Sequence, residues 1–360
     1  MTYAPFSRVN HVLIQLDKMK FYRAVKVVLY LIFLIALLEI WARGYYAAGR
    51  GMSFFASPAD QVYMWYPGLR ALKDYKYDEN DFNLLLLGGS VLTEDWGQIP
   101  EFLRKKIKKD LGREANIVNL AAAAHSSLDS YYKYGYLGGK RFDMVAFYQG
   151  INEVRANNVP PEVWRNDYSH YSWYDEVNFY FRHPWLRRTG LVLPYFIKHL
   201  LVQLEREVTN PGRFAPDHSP KKEWLGYGSD IKTGESFRGN LLKIISAARV
   251  KTEPLMVMTF AYYSPEKEEF DEDSPYVRFT EIWGDTGNVI KGIKVHNEVI
   301  RELAGDDDFI FLDQERLLGH DRRYFTDICH FSDEGSEVFA ENMVGKINRV
   351  PSLKKESERK

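Results

Sequence analysis

Four short stretches of this chain carry side chains whose types and spacing could do chemistry. Gly88-Gly89-Ser90 presents a serine hydroxyl behind two glycines that permit a tight turn, although serine is also a favoured helix cap. Asn119-Leu120-Ala121-Ala122-Ala123-Ala124-His125 is a run of small residues that lets backbone amides approach a ligand; its plainer reading is alanine packing at a helix start, and His125 reads equally as a cap. Gly150-Ile151-Asn152-Glu153 offers a carboxamide where a simple turn would also serve. Asp327-Ile328-Cys329-His330 sets a carboxylate three residues before an imidazole, a spacing that can fix the ring tautomer. The same spacing recurs in Asp167-Tyr168-Ser169-His170, but within an irregular stretch, so that pair reads as a decoy. Cys329 is the one cysteine and reads as a small packing residue.

The first three of these stretches fall at the ends of apolar runs, and the fourth lies beyond the last run, before the final helix. Phe82–Leu87, Asn116–Leu120, Met144–Tyr148, Leu255–Phe260 and Phe309–Leu312 are each short enough for a strand buried on both faces. Amphipathic segments at Val91–Leu111, Ser127–Tyr136, Ser236–Val250, Asn288–Leu303 and Asp333–Asn348 read as helices. Strands joined by right-handed helical crossovers predict an α/β, three-layer sandwich around a parallel five-stranded sheet. Ligands of such a sheet sit beyond the carboxyl ends of the strands, where the first three stretches lie.

In that order, the blocks resemble the SGNH (GDSL-type) hydrolase superfamily, over roughly 83–124, 143–153, 255–260 and 309–348. The resemblance implies a flavodoxin-like sheet and a serine esterase or acyl hydrolase. It maps the nucleophile to Ser90, the general base to His330, the orienting acid to Asp327, and the oxyanion hole to the amides of Ser90 and Ala124 with the Asn152 carboxamide. Two departures stand out. The usual Gly-Asp-Ser reads Gly88-Gly89-Ser90, and the usual Asn-x-Gly-x-x-Gly reads Asn119-x-Ala121-x-x-Ala124, which penalises Ala124 if its φ must be positive. Those departures motivate a rival reading as a catalytically inactive binding or assembly protein. O-acyl transfer to an envelope carbohydrate differs from hydrolysis only in what intercepts the acyl-enzyme.

Composition narrows the partners. The 360 residues are 45% hydrophobic and 27% charged with a formal net charge of -1, which excludes disordered and disulfide-scaffold classes and argues against nucleic acid. Neither a metal-ligand spacing nor a P-loop or dinucleotide fingerprint occurs, so no cofactor and no metal is implied. The uninterrupted run Val27–Leu38, flanked by Lys26 and Glu39 reaching toward water and by Tyr22, Tyr30, Trp41, Tyr45 and Tyr46, reads as a transmembrane helix over 24–42. A cleavable signal peptide and a buried helix are its alternatives. Arg8, Lys18, Lys20, Arg23 and Lys26 precede the run and only Arg43 and Arg50 follow closely, predicting a cytoplasmic N-terminus (1–23) and an exported remainder, periplasmic or extracellular. The rest divides into a membrane-proximal connector (43–80), an α/β domain (81–350) with an aromatic insertion (155–235), and a charged tail (351–360). Trp164, Tyr168, Tyr171, Trp173 and Tyr174 of the insertion suggest a sugar-stacking surface or a lid over an acyl chain. The expected substrate is an ester-bearing small molecule, carbohydrate or lipid, an O-acetyl ester included.

Overall fold

In the computed structural model, residues 6–209, 221–264, 283–306 and 309–353 are described, with side chains from residue 19 onward except at 209, 306 and 352. The tail 354–360, residues 1–5 and part of the aromatic insertion lie outside them. The chain divides into two compact units, Met1–Met64 with Arg182–Leu201, and Trp65–Phe181 with Val202–Lys360.

The larger unit is the expected α/β fold. Strands β1 (Phe82–Gly88), β2 (Ala115–Asn119), β3 (Met144–Tyr148), β4 (Leu255–Met258) and β5 (Ile310–Leu312) form one all-parallel sheet in the order β2-β1-β3-β4-β5, the flavodoxin-like order. Every residue of β1 and β3 is buried, as apolar runs covered on both faces should be. On one face, Leu84, Leu86 and Tyr148 share a core with Ile99, Leu103 and Ile107 of the helix Ile99–Leu111 and with Phe339 and Met343 of the helix Asp333–Ile347. On the other, Phe147 meets Phe237 of the helix Thr233–Lys251, which packs on the helices Ser127–Tyr136 and Thr286–Leu303.

One expected element is divided. The segment read as a helix over Val91–Leu111 is a single 3-10 turn at Ser90–Leu92, a non-helical stretch, and then the helix from Ile99. Pro100 lacks the N–H needed in a helix interior but suits a first turn, so the helix starts there, and Trp96 is left in the connecting loop.

The smaller unit holds a helix running from Phe6 to Gly49, of which Met19–Gly49 is long and apolar enough to cross a membrane. Phe21, Val27–Phe33, Leu37, Leu38, Ile40 and Trp41 are exposed along it. Glu39 departs from the expectation of a side chain reaching toward water. It is buried, because its carboxylate accepts from Arg43 Nε at 2.7 Å and from the backbone N–H groups of Val192 and Leu193 at 2.9 and 2.8 Å.

Candidate active site

The site assembles at the carboxyl ends of β1, β2 and β3 in the larger unit. Two glycines end β1 where neighbours crowd in: a Cβ on Gly88 would run into the backbone carbonyl oxygen of Tyr148, and one on Gly89 would fall 2.5 Å from the Asn152 side-chain Nδ2. Ser90 opens the 3-10 turn that follows and is not a helix cap. Its Oγ lies 2.8 Å from His330 Nε2, although 240 residues separate them in sequence.

His330 is held from two sides. Its Nδ1 is 2.6 Å from Asp327 Oδ2, while Asp327 Oδ1 accepts the backbone N–H of His330 at 2.7 Å and that of Cys329 at 2.8 Å. A carboxylate so placed selects the tautomer with the proton on Nδ1, leaving Nε2 to accept from the serine. Trp96 stacks on the imidazole with centroids 4.4 Å apart and planes inclined by 21°. Ser90, Asp327 and His330 are all buried to within a few per cent of their surface. Cys329 is fully buried in the apolar core and burial pushes its thiol pKa well up, which suits a packing residue. Asp327, Cys329 and His330 offer ligand atoms within 4.8 Å of one another; His330 Nε2 faces Ser90, and Nδ1 faces Asp327 with Cys329 Sγ 3.5 Å away.

The loop after β2 adopts a strained form. Asn119 anchors it by accepting from the Ala121 N–H at 3.0 Å and donating to the Leu92 carbonyl at 2.7 Å, which ties it to the serine turn. The N–H of His125 closes a turn on the Ala122 carbonyl, and Ala124 within it has φ 67, the left-handed region that alanine disfavours. Buried side chains grip the carbonyls of this loop. Lys133 Nζ donates to the Leu120 oxygen at 2.5 Å, Arg155 donates to the Ala124 oxygen, and Gln149 Nε2 and Asn152 Nδ2 donate to the His125 oxygen at 2.6 and 2.8 Å. These donors replace with side-chain hydrogen bonds the freedom that glycine would supply. Behind them Glu153 accepts from the Ser127 N–H, and burial raises its pKa to about 7. Burial lowers Lys133 to about 8.

Several residues stand apart from their expected places. His125 does not cap a helix: Ser126 and Asp129 form a capping box there, and the His125 ring instead meets Lys133 Nζ through Nδ1 at 2.9 Å. His170 is buried with its ring nitrogens facing the Arg165 N–H and the Ala156 carbonyl, which suits the decoy reading. Tyr168, Tyr171 and Tyr174 are buried and therefore form no exposed stacking surface; the hydroxyls of Tyr171 and Tyr174 bond to the Arg155 carbonyl and to Asp129 Oδ2 at 2.7 and 2.6 Å. Trp164 and Trp173 are half-buried. Lys133, Arg155, Gln149 and Trp96 carry no signal in the sequence: the first three act on backbone carbonyls, which leave no motif, and Trp96 lies in an amphipathic pattern that continues into the helix Ile99–Leu111.

No protein-family model matches the sequence, and no curated protein matches it. Solved structures do. A GDSL-like lipase from Bacteroides thetaiotaomicron aligns at 12% identity over 81% of this chain and 98% of its own, with a TM-score of 0.44. A lipase/acylhydrolase from Enterococcus faecalis aligns at 13% identity over 73% and 94%, with a TM-score of 0.39. A variant acetyl xylan esterase from Geobacillus stearothermophilus aligns at 11% identity over 74% and 95%, with a TM-score of 0.41. In its sheet order and in the succession of its strand-end blocks, the chain resembles the SGNH (GDSL-type) hydrolases.

Proposed function

We propose that this protein is a serine esterase or acyl hydrolase, tethered by its N-terminal helix with the α/β unit on the exported side of a membrane. The observation that carries the reading is the chain of contacts from Ser90 Oγ to His330 Nε2 at 2.8 Å and from His330 Nδ1 to Asp327 Oδ2 at 2.6 Å. In the reaction, Ser90 Oγ attacks the ester carbonyl while its proton passes to His330 Nε2. The carbonyl oxygen becomes an oxyanion, for which the Ser90 and Ala124 amides and the Asn152 carboxamide are the proposed donors. Collapse breaks the bond to the alcohol, which leaves with the proton from His330. A water then repeats the sequence on the acyl-serine, its proton moving through His330 back to Ser90 as the acid departs. Asp327 Oδ2 holds the Nδ1 side of the ring and stabilises the imidazolium formed at each step.

The substrate is an ester on a carbohydrate or lipid, O-acetyl esters included. Interception by an alcohol instead of water would make the same intermediate a transferase, and product analysis with added acceptor sugars separates the two. The test is hydrolysis of p-nitrophenyl acetate by the full chain in lipid nanodiscs. Activity lost in both Ser90→Ala and His330→Ala supports the proposal, and activity unchanged in either refutes it. A reporter enzyme fused after residue 350 should work only outside the cytoplasm; cytoplasmic activity would overturn the orientation.

A further inference from the structure

A carboxylate in the middle of an apolar helix needs a reason, and Glu39 has one. With Lys26 at one boundary, Glu39 lies about 20 Å further along the helix at 1.5 Å per residue, short of the far side of a ~30 Å hydrocarbon layer. There it accepts the N–H groups of Val192 and Leu193, where the helix Leu193–Leu204 begins and where intrahelical acceptors are missing. Its ion-pair partner Arg43 donates through Nη1 to the carbonyls of Phe54 and Ala56 at 3.0 and 2.9 Å, and through Nη2 to that of Gly190 at 2.9 Å. Two side chains of the apolar helix thus satisfy the backbone of the turn that leads into Leu193–Leu204. In water such groups would be hydrated without help; in hydrocarbon they must find partners inside the protein.

The two helices also pack through apolar contacts. Phe196 meets Trp41, Tyr45 and Tyr46 with centroids 5.0, 5.1 and 6.0 Å away, and Tyr45 bonds to His199. Contacts therefore climb both helices in the same direction, from Glu39 with Leu193 to Tyr45 with His199, so Leu193 marks the deeper end. Away from that seam, Ile197, Leu200 and Leu201 are 46%, 43% and 55% exposed, a stripe at helical spacing. It continues the exposed apolar surface of Leu37, Leu38, Ile40 and Trp41 on the neighbouring helix. Trp185, 59% exposed just upstream, is followed by Arg187 and Arg188, the aromatic and basic composition of a membrane edge.

We propose that residues 184–201 are a second, non-spanning membrane element, which enters the bilayer beside the N-terminal helix and presents Ile197, Leu200 and Leu201 to lipid. The partner is the bilayer itself, and Glu39 and Arg43 are what allow the turn and helix start to sit there. The inference rests on the N-terminal helix lying in a membrane, and the experiment keeps the two apart. Single cysteines at positions 197, 200 and 201 of the full chain, with Leu31→Cys as spanning control and Lys108→Cys as water control, would carry an environment-sensitive fluorophore in phosphatidylcholine/phosphatidylglycerol nanodiscs containing brominated lipid. Quenching that is strongest at 197 and falls through 200 to 201 toward the membrane edge, with 31 quenched, is the expected result. Water-like emission without quenching at those three positions, with 31 quenched, overturns the proposal alone. No quenching at 31 overturns the membrane reading and the proposal together.

Discussion

Replacing Asp327 by asparagine preserves shape but reverses one hydrogen bond, and the structure dictates which. Asp327 Oδ1 accepts two backbone N–H groups, from Cys329 at 2.8 Å and His330 at 2.7 Å, and Oδ2 faces the ring. An asparagine that turned its amide nitrogen toward the backbone would leave two buried N–H donors facing a third, at roughly 1–3 kcal/mol for each unsatisfied group. The side-chain oxygen is therefore pinned on the backbone, and the NH2 must point at His330 Nδ1. The ring then carries its proton on Nε2, facing Ser90, and cannot accept the serine proton. A base held in the wrong tautomer loses about 10⁴-fold in rate, equivalent to about 5.4 kcal/mol of barrier at 1.36 kcal/mol per decade. Asp327→Asn is measured by the initial rate of p-nitrophenyl acetate hydrolysis, with the unfolding midpoint confirming that the variant folds. A folded Asp327→Asn protein within about tenfold of the parent rate would refute the tautomer argument.

Asn152→Ala should slow hydrolysis by about 100- to 1000-fold with little change in KM, as expected on loss of one oxyanion donor; an unchanged kcat removes Asn152 from the site. Ala124→Gly relieves a left-handed alanine worth ~1–2 kcal/mol against ~0.4–1 kcal/mol of added chain entropy, so the unfolding midpoint should rise slightly with activity retained, and a fall would contradict the strain. Trp96→Ala removes the ring stacked on His330, and kcat should fall roughly 2- to 5-fold for ~0.5–1 kcal/mol of lost cation–π stabilisation of the imidazolium; no change would leave the stack without a role. Burial lowers the pKa of His170 from 6.5 to about 3, so the unfolded chain takes up a proton that the folded one refuses. That contribution to stability is complete above pH 6.5 and shrinks as pH falls toward 3. His170→Asn should accordingly flatten the acid limb of the stability curve without loss of esterase activity. An unaltered limb denies the burial effect, and lost activity denies that His170 is a decoy.

The sheet was legible because parallel strands buried on both faces must be apolar throughout, and β1 and β3 are the clearest runs in the chain. Ser90 and Asn152 were legible because they follow strand ends, a level of an open α/β sheet where distant segments converge, and Asp327 and His330 were legible from their spacing just before the last helix. What escaped was of another kind. The loop between Leu92 and Ile99 hid inside an amphipathic pattern that Pro100 interrupts only at a first turn. Tyr168, Tyr171 and Tyr174 read as a wet aromatic surface although all three are buried, and the hydroxyl partners of Tyr171 and Tyr174 lie on other elements. Lys133 and Arg155 left no trace because a backbone carbonyl accepts from any donor, whatever its sequence. Glu39 broke an apolar run for the sake of a helix start some 150 residues away, which periodicity cannot report.

The central claim is that Ser90 is a nucleophile activated by His330. A fluorophosphonate probe applied to the full chain in nanodiscs, followed by digestion and mass spectrometry, reads it directly. A single adduct on Ser90, lost in His330→Ala and kept in His170→Ala, is the predicted result. A folded protein that forms no adduct, or one that labels undiminished after His330→Ala, would contradict it.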